Sequence, residues 1–136
     1  MSEVDTIKNV TIVGIGTQGS MIAFRNALYG KNVTGYSRTQ PSIDTCKNKI
    51  DKWLAHFIEE GKLTKDEADA VRGRIHYATT LDEACKDADL VVLASPMYYW
   101  SLSGQLKCAF DRLFAVAELS PSYANPVKDC VLLMAA

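Results

Sequence analysis

The sequence has 136 residues with 15 lysines and arginines against 16 aspartates and glutamates, a net charge of −1, so it offers no field for capturing nucleic acid or an anionic membrane surface. Its 48% apolar and 23% charged content is that of a globular chain able to bury about two thirds of its unfolded surface, which excludes intrinsic disorder. The four cysteines at 46, 85, 108 and 130 have neither C-x-x-C nor zinc spacing, residues 1–9 lack an apolar leader, and no apolar run reaches membrane-spanning length; a cytoplasmic protein with reduced thiols and no metal is expected.

Val10-Thr11-Ile12-Val13 predicts a strand that enters Gly14-Ile15-Gly16-Thr17-Gln18-Gly19, after which Met21, Ile22, Ala23, Ala27 and Leu28 recur at helical spacing. Beyond the Gly30-Lys31-Asn32 break, Val33-Thr34-Gly35-Tyr36 predicts a second strand beside the first, closing a right-handed βαβ unit. Pro41 opens a helix in which Ile43, Cys46, Ile50, Trp53, Leu54, Phe57 and Ile58 follow a 3.6-residue period up to Gly61. Thr64-Lys65-Asp66-Glu67 has the spacing of a capping box, with Leu63 and Ala68 as its staple, and Thr80-Leu81-Asp82-Glu83 repeats the device. Seven basic and seven acidic residues balance between positions 44 and 76. The helical hairpin there reads as a solvated insertion without a net field.

Ile75-His76-Tyr77-Ala78 predicts a short third strand, and Leu90-Val91-Val92-Leu93-Ala94 a parallel strand buried on both faces. Leu102, Leu106, Phe110, Leu113, Phe114 and Ala117 mark an amphipathic helix, followed by a turn at Asn125-Pro126 and a last strand over 130–134. The fold class expected is α/β: an open parallel sheet of about five strands in the Rossmann-type order 3-2-1-4-5, with the helical hairpin inserted after strand 2, as a single domain over 1–136. The last strand would offer an apolar sheet edge to a second copy, a route to a homodimer.

In the glycine turn each small residue has its own steric duty: Gly14 for the tight turn, Gly16 for approach of a pyrophosphate to bare backbone, Gly19 for close helix-strand contact. The backbone of Gly14, Ile15, Gly16, Thr17, Gln18 and Gly19 is therefore the candidate dinucleotide cradle, with free N–H donors and the positive end of the helix dipole. A carboxylate commonly ends the second strand, about 20 residues after such a motif, and accepts from the adenosine ribose. Here Ser37 and Arg38 stand there instead. A hydroxyl and a guanidinium suit a 2′-phosphate, favouring NADP over NAD.

Ser95, Pro96, Met97, Tyr98 and Tyr99, then Trp100, leave the carboxyl end of a central strand, where open α/β sheets bind ligands. Such aromatics stack on a flavin or nicotinamide ring, or simply cover the sheet end. His56 falls beside the apolar stripe of its helix and His76 in a strand. With no Ser/His/Asp grouping and no paired carboxylates at a strand end, no catalytic residue is identified; hydride transfer asks little of a protein beyond orientation.

Residues 7–93 resemble the NAD-binding domain of the 3-hydroxyacyl-CoA dehydrogenases, through Ile12-Val13-Gly14-Ile15-Gly16-Thr17-Gln18-Gly19-Ser20, Gly61-Lys62-Leu63-Thr64, Thr80-Leu81-Asp82-Glu83-Ala84 and Lys86-Asp87-Ala88-Asp89-Leu90-Val91. The hairpin inserted after the second strand is characteristic of that family. Residues 88–136 are similar instead to flavodoxin-like NAD(P)H-dependent FMN reductases, through Ser95-Pro96-Met97-Tyr98-Tyr99-Trp100-Ser101-Leu102-Ser103-Gly104-Gln105-Leu106-Lys107 and Phe110-Asp111-Arg112-Leu113. That likeness implies isoalloxazine contact by Pro96, Met97, Tyr98 and Tyr99. The dehydrogenases' catalytic His-Glu pair has no counterpart here, and the reductases' phosphate loop is replaced by the glycine turn.

A chimera of the two parallel α/β parents, joined between 89 and 95, is the expectation that follows. Its leading function is an NAD(P)-binding domain of oxidoreductase ancestry without full hydroxyacyl-CoA dehydrogenase turnover. The alternatives are an FMN-dependent NAD(P)H oxidoreductase and a folded scaffold without turnover.

Overall fold

Val10 and Ile12 on one strand and Val33 on the next are 0–2% exposed, and around them, among the described residues, four parallel strands assemble: β1 (Asn9–Val13), β2 (Asn32–Tyr36), β3 (Ile75–Ala78) and β4 (Leu90–Leu93). The sheet order is β3-β2-β1-β4. Val10 pairs with Val33 and Leu90, and Thr34 with His76, so one register runs from edge to edge. This computed structural model describes residues 3–95 together with 103, 104, 107, 108 and 111. The chain divides into the units Met1–Ser95 and Pro96–Ala136.

The strand order agrees with the first four strands of the expected 3-2-1-4-5 sheet. The fifth strand expected over 130–134, its edge for a second copy, and the residues Pro96, Met97, Tyr98 and Tyr99 lie outside the described residues. Of the expected helix after them, Gly104, Lys107, Cys108 and Asp111 are helical, and Lys107 pairs with Asp111 at 3.0 Å.

Within residues 3–95 five helices accompany the strands: α1 (Glu3–Thr6), α2 (Thr17–Leu28), α3 (Gln40–Glu59), α4 (Lys65–Gly73) and α5 (Leu81–Cys85). Helix α2 buries Ala23, Phe24 and Ala27 on the sheet, while α3 brings Ile43, Cys46, Ile50 and Leu54 and α4 brings Ala68 and Val71 to the same core. The α3-α4 hairpin is thus solvated on its outer side only; one face of each helix is core. Phe24 joins the two layers, its ring 5.5 Å from Phe57 and 5.6 Å from Trp53.

Three readings of the pattern are corrected. Met21 and Ile58 lie at the margins of their stripes and are 37% and 38% exposed, whereas Phe24, which the spacing passed over, is 1% exposed. Strand β4 is the outer strand of the described sheet, and its Leu90, Val91 and Leu93 are 37–43% exposed instead of covered on both faces. At Thr80 no side-chain cap bond forms, because α5 is one short turn. The capping box at Thr64 is complete: Glu67 N–H donates to Thr64 Oγ1 at 3.2 Å and Thr64 N–H to Glu67 Oε2 at 2.8 Å.

Candidate functional site

The β1-α2 crossover opens at the carboxyl end of the sheet, between β2 and β4, where such sheets receive ligands. Gly14 turns the chain with φ +98°, donates its N–H to Tyr36 O at 3.2 Å, and lies so near Ala94 that a Cβ would meet Ala94 O at 2.6 Å. A Cβ on Gly19 would come within 1.8 Å of Gly14 O. The two glycines therefore let α2 start directly on the end of β1.

Gly16 differs from both. A Cβ there would meet nothing within 4 Å, and Gly16 is the N-cap of α2 without any side-chain cap bond. The first helical bond is Ser20 N–H to Gly16 O at 3.0 Å, so the N–H groups at the start of α2 have no intrahelical acceptor. Buried Ser20 Oγ lies 3.0 Å from Ile15 O and 2.5 Å from Gly16 O, which ties the turn's carbonyls back to the helix. No acidic side chain occupies the first turn of α2. An open step of bare backbone, with its donors outward and the positive dipole end behind it, fits a diphosphate.

The other residues singled out by sequence fall around this step in different ways. Ile15 is 4% exposed and its side chain packs over Gly35, so only its backbone faces the turn. Thr17 and Gln18 are exposed. Ser37 donates its N–H to Ala78 O at 3.2 Å, leaving a half-buried hydroxyl at the end of β2 beside an exposed Arg38. Ser95 is half-buried and follows Ala94, whose N–H donates to Val13 O at 3.0 Å.

One residue near the step was not legible as a site residue. Lys49, half-buried on α3, places Nζ 3.3 Å from Thr17 Oγ1. In the sequence it was one of seven balanced basic residues of the hairpin; only the packing of α3 on α2 brings it to the crossover.

The histidines stay apart from the crossover. Exposed His56 Nε2 lies 3.4 Å from Glu60 Oε1. His76 lines a polar groove of about 300 Å³ with Asn9, Thr11, Asn32, Thr34 and Glu83. Asn9 and Asn32 begin their strands, so this groove opens toward the amino end of the sheet, away from the glycine turn.

Residues 9–96 match the family model for the NAD-binding domain of 3-hydroxyacyl-CoA dehydrogenase. A probable 3-hydroxybutyryl-CoA dehydrogenase of Deinococcus radiodurans is 40% identical over 83 residues, 61% of this chain and 29% of that protein. A 3-hydroxybutyryl-CoA dehydrogenase of Mycobacterium tuberculosis is 34% identical over 90 residues, 66% of this chain and 31% of that protein. Among solved structures, the (S)-3-hydroxybutyryl-CoA dehydrogenase of Ralstonia eutropha superposes with a TM-score of 0.69 at 26% identity, covering 87% of this chain and 39% of that one. A diketoreductase gives 0.64 at 34% identity, covering 86% and 39%. The chain spans less than a third of the length of the two curated relatives. None of these four is a flavodoxin-like flavin protein, and the similarity of 88–136 to FMN reductases gains no support from them.

Proposed function

The chain belongs to the 3-hydroxyacyl-CoA dehydrogenase NAD-binding-domain family, and on that premise we propose that its β1-α2 crossover holds the diphosphate of a nicotinamide dinucleotide for hydride transfer. The observation that carries this reading is Gly16: an uncapped helix start with no neighbour in the space a side chain would fill. The backbone of Gly14, Ile15, Gly16, Thr17, Gln18 and Gly19 forms the cradle, and Ser37 and Arg38 attend the adenosine ribose. The reduced or oxidised nicotinamide supplies the hydride chemistry; these residues bind and orient it.

At the ribose the absence of a carboxylate matters. Exposed Arg38 can meet a 2′-phosphate that an aspartate would repel, so NADP is accepted along with NAD.

Calorimetric titration of the full chain with NADH, NADPH and FMN tests the proposal. Both nicotinamide dinucleotides are expected to bind and to raise the melting temperature, since saturation of the native state at 100 times Kd stabilises it by about 2.7 kcal/mol. Binding of FMN with no response to either dinucleotide overturns it. Rejection of NADPH alone removes only the role given to Arg38.

A further inference from the structure

Lys49 and the start of α2 set two sources of positive potential side by side. The first turn of a helix is its positive pole and attracts anions, yet the cation beside it is a lysine, with Nζ 3.3 Å from Thr17 Oγ1, and α2 has no acidic residue in that turn. The carboxylate nearest to Lys49 in sequence, Asp51, is taken by Arg72 Nε at 2.9 Å. Among the described residues no carboxylate pairs with Lys49. A hydroxyl at 3.3 Å is a weak acceptor for an ammonium, which prefers a charged partner at 2.7–2.9 Å. Two positive sources thus lie together at the first residue of α2, and among the described residues no anion answers them.

We infer that Lys49, carried by the hairpin inserted after β2, is a binding residue of the dinucleotide site: its ammonium neutralises a phosphoryl group seated on the amides of the β1-α2 turn. The inference rests on the proposed dinucleotide reading and gives the insertion a role in ligand binding besides its share of the core. Helix α3 fixes the lysine's backbone, because Cys46 and Ile50 on either side of it are buried at 1% and 2% exposure. A lysine so anchored reaches the crossover without ordering a loop, so little conformational entropy is lost on binding.

The test compares the wild type with Lys49→Met and Lys49→Arg, titrating NADH and ADP-ribose at low and high salt, with melting curves to establish that each variant is folded. Loss of one charged contact to phosphate is expected to weaken both ligands about tenfold in Lys49→Met. The same variant should flatten the salt dependence of binding, because a screened charge pair has been removed. Lys49→Arg should bind within a few-fold of the wild type. A folded Lys49→Met that binds as the wild type does overturns the inference while leaving the dinucleotide reading intact. It is equally overturned if Met and Arg weaken binding alike with the salt dependence unchanged, since the lysine would then be a packing element only. Failure of the wild type to bind either ligand removes both readings together.

Discussion

Gly19 lies against Gly14 so closely that a Cβ on Gly19 would stand 1.8 Å from the Gly14 carbonyl oxygen. That contact sets the approach of α2 to β1, and with it the direction of the first-turn amides. The steric rule behind the glycine spacing is therefore physically present in the fold, independently of any ligand. Gly19→Ala must push the helix off the turn, and overpacking of this kind costs about 1–3 kcal/mol or more. Gly14→Ala meets a φ of +98° and the Ala94 oxygen at 2.6 Å, with a cost of about 1–3 kcal/mol from the backbone alone. Urea unfolding checks both; midpoints unchanged from the wild type would refute the geometry.

Gly16→Ala is expected to separate binding from stability. Nothing lies within 4 Å of the added methyl, and Gly16 has φ −69°, so the unfolding free energy should fall by no more than about 1 kcal/mol, the margin by which alanine is the poorer N-cap. The same methyl enters the space assigned to the diphosphate. NADH affinity should fall at least about tenfold, the scale of one lost charge-assisted bond. Unaltered NADH binding in a folded Gly16→Ala protein would show that the ligand does not use this step.

Asp89 closes the sheet at its other end. Its Oδ2 accepts the N–H of Asn9 at 2.8 Å and of Lys8 at 2.9 Å, while its own N–H donates to Asn9 O at 2.9 Å, which locks the entry of β4 to the entry of β1. The Asn9 and Lys8 amides hold its carboxyl below the usual carboxylate range. Because the folded pKa lies below the unfolded one, the stabilisation is complete above about pH 4 and is lost as pH falls through the lowered folded value. Asp89→Asn should therefore melt below the wild type at pH 7, with the gap narrowing on acidification below about pH 4. A gap in melting temperature that stays constant over that range would count against the clamp.

Phe24 carries the junction between sheet and hairpin. It is 1% exposed and meets Phe57 edge-on at 5.5 Å and Trp53 at 5.6 Å. Phe24→Ala is expected to cost about 3–5 kcal/mol and to red-shift tryptophan emission as Trp53 gains water. Phe24→Leu, which keeps most of the volume, should cost less than about 1.5 kcal/mol. Equal losses in the two variants would mean that filled volume contributes nothing there and that the ring contacts with Phe57 and Trp53 carry the junction.

What the sequence disclosed follows a physical division. Short-range rules were readable: the strand-glycine-helix passage, the helix opened by Pro41 and the reciprocal cap at Thr64 each depend on neighbours within a few residues. Contacts made by folding were not. Lys49 meets Thr17 across 32 residues, and the balanced charge of the hairpin concealed it. The exposure of Leu90, Val91 and Leu93 was unreadable because a β-branched run looks alike in a central and in an outer strand. The stripe of α2 held Ala23 and Ala27, which are core, but left out Phe24, buried beside them.

Thr64 and Thr80 show where even a short-range rule needs support. Both head the pattern Thr-x-x-Glu, and both have extended N-cap backbone. Thr64 opens the nine-residue α4, whose Ala68 and Val71 are buried in the core, so the first turn is held still while Glu67 reaches back. The Thr64 bonds depress the Glu67 carboxyl below its ordinary range. Thr80 heads α5, five residues long, with Glu83 exposed at the polar groove. Thr64→Ala should cost about 1 kcal/mol, and Thr80→Ala less than about 0.5 kcal/mol, as for a surface position without a cap. Chemical denaturation of the two variants decides the point: comparable losses would mean that capping at α5 is as complete as at α4.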